Sequence, residues 1–184
     1  MFQRFALIVL PVLICFAALA AAEEKSPAER LAASKAAWNK ANAESKGNYE
    51  YGVRFTSAFG FGNETILVVK DQKIVERRYR AWSGRPVPVA PGEKPKEDGT
   101  SWKETGEELG KHKEGAPLKT LDELYVEATK VVDRKLSDFE KLYIAFDPAG
   151  ILKYCFVVDT RIADDAPRQG VSIDSLKLNK PAAP

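Results

Sequence analysis

The chain has 184 residues, of which 45% are hydrophobic and 29% are charged, and its 28 basic and 26 acidic residues give a formal net charge of +2. This length and composition predict one globular domain and exclude a disordered chain, a collagen-like repeat and a disulfide-dense mini-protein. The small net charge also argues against a dedicated nucleic-acid-binding protein, which needs an excess of basic residues to neutralise phosphates.

Residues 1–22 have the pattern of a secretory signal peptide. A basic residue precedes an apolar run, and alanines satisfy the small-residue rule at two alternative cleavage sites, after Ala20 and after Ala22. An uncleaved membrane anchor is the alternative, but Pro11 interrupts the run, and its length is marginal for a bilayer. Cys15 is not expected to carry a lipid, because a bulky residue precedes it and the apolar run continues beyond it. We therefore expect an exported protein, periplasmic or secreted, without membrane contact after cleavage.

The first element predicted after this leader is a helix. It begins at the capping box Ser26-Pro27-Ala28-Glu29 and ends near Gly47. The hydrophobic period then changes from helical to two, which predicts strands. Three such strands are expected, at residues 49–56, 64–70 and 73–82. Asp71 and Gln72 form a tight turn between the second and the third, although a two-residue turn prefers glycine.

Residues 83–119 interrupt this pattern. They contain five prolines, six glycines and many charged residues, and no apolar period survives among them. A connection of this length is usually functional or disordered. We expect a proline- and glycine-rich insert that is disordered or loosely draped over the domain, because its charges are mixed and its apolar content is low.

The second half of the chain repeats the order of a helix followed by strands. A second capping box, Thr120-Leu121-Asp122-Glu123, starts a helix that runs to about Lys135, with apolar residues recurring at spacings of three and four. A type I turn at 147–150 joins two further strands. The strands expected in this half are 142–146, 151–160 and a short edge strand at Val171 and Ile173.

These elements predict one α+β domain over residues 23–180, followed by a tail at 181–184. Neighbouring strands are joined by short turns, so we expect a two-layer domain with a mainly antiparallel sheet of five or six strands and two helices on one face. The expected order is α-β-β-β-α-β-β. The repetition of a helix and a strand meander suggests two similar halves.

Four short motifs occur in a specific order along this domain. They are Tyr49-Glu50-Tyr51, the hairpin at 68–75, the helix start at 120–125, and the segment at 146–152 that contains Asp147-Pro148-Ala149-Gly150. Together they resemble a family of small exported bacterial proteins whose domain is of unknown function. The resemblance implies an exported α+β domain, and it offers no catalytic residue to carry over.

Histidine, cysteine and aspartate are three residue types that often carry chemistry. His112, the only histidine, is expected to be a solvated loop residue, and a single histidine excludes a multi-histidine zinc site. Cys155 lies among apolar residues and is expected to pack in the core, with an intermolecular disulfide as the alternative. Asp159, Asp164 and Asp165 are expected to form a solvated acidic turn, because their spacing does not match a calcium loop. No catalytic, metal or cofactor residue is predicted.

Arg78, Arg80 and Trp82 share one face of the third strand by parity. Arginine offers forked hydrogen-bond donors and tryptophan a stacking surface, so this face is the candidate partner-binding surface for an anionic ligand or another exported protein. The alternative is a solvent-exposed face that keeps the sheet from pairing with neighbouring molecules.

No phosphate-binding glycine loop, nucleophile elbow or paired zinc ligands are present. The sequence therefore favours a non-enzymatic exported protein without a cofactor, acting as a binding or envelope accessory module. An inhibitor or chaperone-like partner of another exported protein is the alternative. A hydrolase with two carboxylates paired in space is the third reading.

Overall fold

The computed structural model describes residues 25–83, 101–162 and 166–179, which form two α-helices and eight strands. The helices are α1 (Pro27–Glu44) and α2 (Leu121–Val132). The strands in chain order are β1 (Tyr49–Thr56), β2 (Gly62–Lys70), β3 (Lys73–Trp82), β4 (Ser101–Thr105), β5 (Glu140–Phe146), β6 (Leu152–Asp159), β7 (Gln169–Ser172) and β8 (Ser175–Leu178). All strand pairs are antiparallel, in a five-stranded sheet of order β4-β3-β2-β1-β8 and a three-stranded sheet of order β5-β6-β7.

The predicted α+β class with mainly antiparallel strands is confirmed. The described part of the chain has eight strands rather than five or six, because β4 lies inside the predicted insert and the C-terminal segment forms β7 and β8. The signal peptide at 1–22, the tail at 181–184 and residues 84–100 of the insert lie outside the described residues.

The rest of the insert corrects a prediction. Residues 101–119 contain β4, which pairs with β3, and a 3-10 turn at Gly106–Glu108. The expectation of a disordered or loosely draped segment is therefore wrong for residues 101–119.

Both helices begin where the capping boxes predict. In α1 the Ser26 Oγ accepts a hydrogen bond from the Glu29 N–H at 3.2 Å, and the Glu29 carboxylate accepts one from the Ser26 N–H at 2.8 Å. Thr120 and Glu123 make the same reciprocal pair at the start of α2. Each box satisfies two backbone donors that the first helical turn leaves without partners. No described helix is both long and apolar enough to cross a membrane.

The two sheets are joined where the chain passes from β7 to β8. The Ile173 N–H donates to the Lys153 carbonyl of the three-stranded sheet at 2.6 Å. The next N–H, that of Asp174, donates to the Gly52 carbonyl of the five-stranded sheet at 2.8 Å. Two consecutive residues therefore tie β6 of one sheet to β1 of the other.

The helices pack against the inner faces of these strands and form one core. Trp38 of α1 meets the ring of Tyr49 edge-to-face, with 4.9 Å between the centroids. The Tyr125 hydroxyl of α2 lies 2.7 Å from the Ser34 Oγ of α1 and accepts a hydrogen bond from the Leu152 N–H at 3.0 Å. Tyr125 thus connects both helices to β6 at a position where its buried hydroxyl is satisfied.

The turn between β2 and β3 has the predicted position and an unusual backbone. Asp71 and Gln72 have φ values of +48° and +62°, the left-handed region that a two-residue hairpin turn needs at both positions. The Gln72 N–H donates to the Gly47 carbonyl at 3.0 Å, which ties the turn to the end of the first helical segment. A side chain at Gln72 is strained in this conformation, because only glycine adopts it freely.

Candidate functional site

The most unusual chemical feature is an ion pair buried on the inner face of the five-stranded sheet. Arg77 of β3 and Glu104 of β4 are opposite each other in the strand register, and Arg77 Nε donates to Glu104 Oε2 at 2.8 Å. Glu104 has 0% of its surface exposed, and Arg77 is also buried. Because burying an unpaired charge is very unfavourable, each residue depends on the other for its place in the fold.

This ion pair also holds the chain segment that follows β4. Glu104 accepts hydrogen bonds from the N–H groups of Gly110 at 2.9 Å and His112 at 2.6 Å. Arg77 donates to the carbonyls of Ala116 at 3.0 Å and His112 at 2.8 Å. The Arg77 guanidinium, with the donors of His112 and Gly110, holds the pKa of Glu104 well below its ordinary value, although burial alone acts to raise that pKa. We refer to Arg77, Glu104 and His112 as the Glu104 clamp.

His112 is an exposed loop histidine, as predicted, but its ring also makes contacts that were not predicted. Its Nδ1 lies 2.9 Å from Glu104 Oε1, and its ring stacks on Trp102 with 4.3 Å between the centroids. Trp102 in turn stacks on Tyr79 of β3 at 5.1 Å. An ionised carboxylate only accepts hydrogen bonds, so Nδ1 is the donor in this contact. No pattern in the sequence near His112 signals these contacts, because the partners lie on two strands.

A carboxylate that orients an imidazole is also found in hydrolases, where the other ring nitrogen acts on a nucleophile. Among the described residues, no serine, threonine or cysteine side chain bonds to His112. The described part of the chain also has no group of three or more metal-ligating side chains. The hydrogen bonds of the Glu104 clamp to the backbone of Gly110, His112 and Ala116 anchor residues 106–119 to the sheet.

The predicted surface residues Arg78, Arg80 and Trp82 lie on the opposite, outer face of β3. Two of them form cross-strand ion pairs. Arg78 lies 2.6 Å from Glu50 of β1 and 3.0 Å from Glu76, and Arg80 lies 3.1 Å from Glu64 of β2. Arg78 is thus surrounded by two carboxylates, whereas Arg80 has one and is more exposed.

Trp82, at the end of β3, lies close to two guanidinium groups. The Arg54 and Arg80 guanidiniums are 5.1 Å and 5.6 Å from the centre of its ring. The ring covers Gly62 of β2, where any Cβ atom would come within 2.6 Å of it, so Gly62 makes this placement possible. No described carboxylate lies within ion-pair distance of the Arg54 guanidinium. We call Arg54, Arg80 and Trp82 the Trp82 site.

Sequence reasoning missed Arg54 as a member of this site. The signal was available, because the alternation of residues 49–56 places Arg54 on the face opposite the buried tyrosines. Which strand neighbours β1, and in what register, was needed to bring it to Trp82. The register pairs Arg54 with Glu64 and Glu64 with Arg80, so the three side chains form one row across the outer face.

Two described cavities test the hydrolase reading. The larger, of about 250 Å³, lies between α1 and α2 and is lined mainly by apolar side chains, with Asp133 as its one carboxylate. The smaller, of about 60 Å³, has Asp147 and Asp174 in its lining. Asp147 accepts a hydrogen bond from the Ile151 N–H at 2.8 Å, and Asp174 accepts one from the Arg54 N–H at 2.7 Å. Both aspartates therefore act as turn and strand-end caps around a space of only a few waters.

The remaining predicted residues are distributed over the second half of the chain. Cys155 is a buried free cysteine, as predicted, and burial raises the pKa of its thiol to about 11. Asp159 pairs with Arg161 at 2.5 Å, and hydrogen bonds from Arg161 lower the pKa of Asp159 to about 2. Asp164 and Asp165 lie outside the described residues.

Comparison of the chain with protein-family models, with curated proteins and with solved structures finds no match.

Proposed function

We propose that this protein is a non-enzymatic exported binding module that engages an anionic ligand or an acidic partner through the Trp82 site. The observation that carries the proposal is the Trp82 ring with two guanidinium groups near it, one of which, that of Arg54, has no carboxylate partner among the described residues. Guanidinium groups bind carboxylates and phosphates through paired donors, and a tryptophan face adds stacking area beside them.

The charge balance along the outer face supports this location. The row across the sheet at Arg54 contains two guanidiniums and one carboxylate, that of Glu64. At Arg78, by contrast, Glu50 and Glu76 balance the charges of Arg78 and Lys103, and each of these two cations has a carboxylate partner. An incoming anion is therefore attracted to the Trp82 end of the face, and Arg78 serves mainly to connect β1 with β3.

The two cavities favour a binding role over catalysis. A hydrolase with paired carboxylates needs two acids facing a space large enough for substrate, whereas Asp147 and Asp174 line a volume of about 60 Å³ and each accepts a backbone hydrogen bond. If the acidic partner is another exported protein, this chain is an inhibitor or a chaperone-like subunit.

Export is the part of the proposal that depends on residues 1–22 and on the resemblance to small exported bacterial proteins. Intact-mass measurement of the protein recovered from outside the cytoplasm tests it. A chain that begins at Ala21 or Glu23 is the expected result. Retention of residues 1–20 would instead indicate a membrane anchor.

Binding at the Trp82 site is tested with a defined acidic probe, soluble polyglutamate, on the chain beginning at Glu23. We expect the double variant Arg54→Gln/Arg80→Gln to weaken binding by more than about tenfold, since one lost charge-assisted contact is worth about 1.5–3 kcal/mol and the freed Glu64 repels the probe. The control is Lys40→Gln/Lys130→Gln, which removes the same charge from two exposed helix positions. Equal weakening in both double variants would indicate attraction to net charge alone and contradict the proposed site.

A further inference from the structure

Three phenylalanines are exposed at the hairpin that joins β1 to β2. Phe59 at the tip has 74% of its surface exposed, Phe55 has 48% and Phe61 has 45%. The Phe55 and Phe61 rings are 6.3 Å apart, so the apolar surface is continuous between them. An exposed apolar cluster of this kind marks a contact surface more often than an isolated exposed side chain does.

The turn that presents these rings is ordered by its own hydrogen bonds. The Ser57 N–H donates to the Phe61 carbonyl at 2.9 Å, and the Gly60 N–H donates to the Ser57 carbonyl at 3.1 Å. The Ser57 Oγ accepts from the Phe59 N–H at 3.2 Å, and Ser57 itself is buried. Phe59 is therefore held outward by the backbone, and little conformational entropy would be lost when it enters a partner.

The phenylalanine tip lies at the same end of the sheet as the Trp82 site. In the strand register Thr56 pairs with Gly62, and Gly62 pairs with Trp82. Two residues further from the tip, Arg54 and Arg80 are in one row with Glu64. Since a strand rises about 3.3 Å per residue, the guanidiniums are attached within about 10 Å of the end of the hairpin.

At this end of the sheet, apolar side chains lie nearest the tip and cationic side chains lie further from it. Residues 57–62 contain no charged side chain, and behind Phe59 and Phe61 the outer face presents an indole and then two guanidiniums. Phe55 lies between these two rows in the register, on the opposite face of the sheet. A bilayer surface has the matching order, with acyl chains beneath an interfacial layer where aromatic rings are favoured and an outermost layer of anionic phosphates. A small soluble anion would leave the three phenylalanine rings in water.

We infer that the anionic partner of the Trp82 site is a lipid headgroup layer, into which the Phe55–Phe61 tip inserts. This inference rests on the proposed function and identifies its partner. It replaces the expectation that the processed protein makes no membrane contact.

Vesicle flotation with the chain beginning at Glu23 tests the inference, because this form lacks the apolar leader. We expect binding to vesicles of phosphatidylcholine mixed with phosphatidylglycerol, and much weaker binding to phosphatidylcholine alone. Binding to the mixed vesicles should decrease as salt is added, because the headgroup attraction is screened.

The decisive variants alter the tip without altering the core. Phe59→Ser should reduce the vesicle partition coefficient by about tenfold or more, the loss expected when one phenylalanine no longer leaves water. Arg54→Gln should reduce it by about fivefold, since one cation near an anionic surface contributes about 1 kcal/mol. The matched control is Phe139→Ser. Phe139 lies beside the three-stranded sheet and has 50% of its surface exposed. This variant should leave the vesicle partition coefficient unchanged.

Three results would overturn the inference, and they have different consequences. Binding to polyglutamate without binding to the mixed vesicles would support the proposed anion site and contradict a lipid partner. Equal vesicle partition coefficients for Phe59→Ser and the parent chain would contradict insertion of the tip. The parent chain could instead sediment as a dimer and fail to bind vesicles. If Phe59→Ser then sediments as a monomer, the tip contacts a second copy of the chain rather than a lipid.

Discussion

Replacing Glu104 with glutamine removes one charge from the buried ion pair and keeps the size of the side chain. We expect the free energy of unfolding to fall by about 3–5 kcal/mol, the range for removing one partner of a buried pair. The Glu104 carboxylate accepts four hydrogen bonds, from Arg77 Nε, the Gly110 N–H, the His112 N–H and His112 Nδ1. A glutamine amide nitrogen accepts no hydrogen bonds, so the bonds to one of the two side-chain oxygens are lost. Arg77 is also left without a counter-charge.

Urea unfolding of the variant and the parent measures this loss. The control is Glu108→Gln, because Glu108 lies on the surface of the same segment and pairs with Lys111 at 2.6 Å. That exposed pair should change stability by only about 0–1 kcal/mol. The double variant Arg77→Met/Glu104→Leu removes both charges and should be less destabilised than Glu104→Gln. A loss below about 1 kcal/mol for Glu104→Gln would refute the assignment of the clamp as the anchor of residues 106–119.

The stability difference between the parent and Glu104→Gln should depend on pH. The pKa of Glu104 is lowered in the folded protein from an ordinary value of 4.5, so its stabilisation is complete above that pH. It is lost as the pH falls below 4.5 towards the folded pKa, because the unfolded chain then binds a proton that the folded protein does not. Glutamine does not titrate, so the difference in urea midpoint between the parent and Glu104→Gln should narrow on acidification. A difference that stays constant to about pH 3 would contradict the lowered pKa.

Three further predictions concern stability and reactivity elsewhere. Leu124→Ala should reduce the free energy of unfolding by about 2–5 kcal/mol, because Leu124 is on the buried face of α2. Thr120→Ala removes one helix cap and should reduce the free energy of unfolding by about 1 kcal/mol. Equal losses in denaturant melts would mean that α2 does not bury this face. Gln72→Gly should raise the stability by up to about 1 kcal/mol, because glycine relieves the left-handed backbone at φ +62°, and a lower melting midpoint would contradict this. Cys155 should react with a thiol reagent at mildly alkaline pH only after unfolding, because its thiol is buried and its pKa is raised to about 11, and rapid native-state labelling would count against this.

The elements that could be predicted from the sequence are those that local chemistry determines. Two capping boxes located the helix starts, and alternating apolar residues located β1 with its tyrosine face. The turn at 147–150 was recognisable from its residue types, and the turn at 71–72 from its place between two strand patterns. In each case the residues that interact lie within about five positions of one another, so no knowledge of the tertiary fold was needed.

Strand β4 could not be predicted by the same reasoning. Its five residues, Ser101-Trp102-Lys103-Glu104-Thr105, are mostly polar, and the residue that points to the buried side is a glutamate. That glutamate is acceptable inside only because Arg77, 27 positions earlier, is its neighbour in the sheet. Hydrophobic period predicts strands whose inner face is apolar, and it has no means of recognising one whose inner face is completed by a distant charge.

The adjacent residues Arg77 and Arg78 show why the candidate site needed the structure as well. Successive side chains on a strand point to opposite faces, so Arg77 enters the protein and Arg78 lies on the outer face. The buried arginine fixes β4 against β3, and Arg80 of β3 is paired in register with Ser101 of β4. The Glu104 clamp therefore supports, from the inner side, the strand that carries Arg80 and Trp82 on the outer side. A lipid or anion contact made at the Trp82 site would then be weakened by a defect in a buried pair that never touches it. The two effects separate because Glu104→Gln should lower stability much more than Arg54→Gln, which removes only the contact of an exposed guanidinium with Trp82.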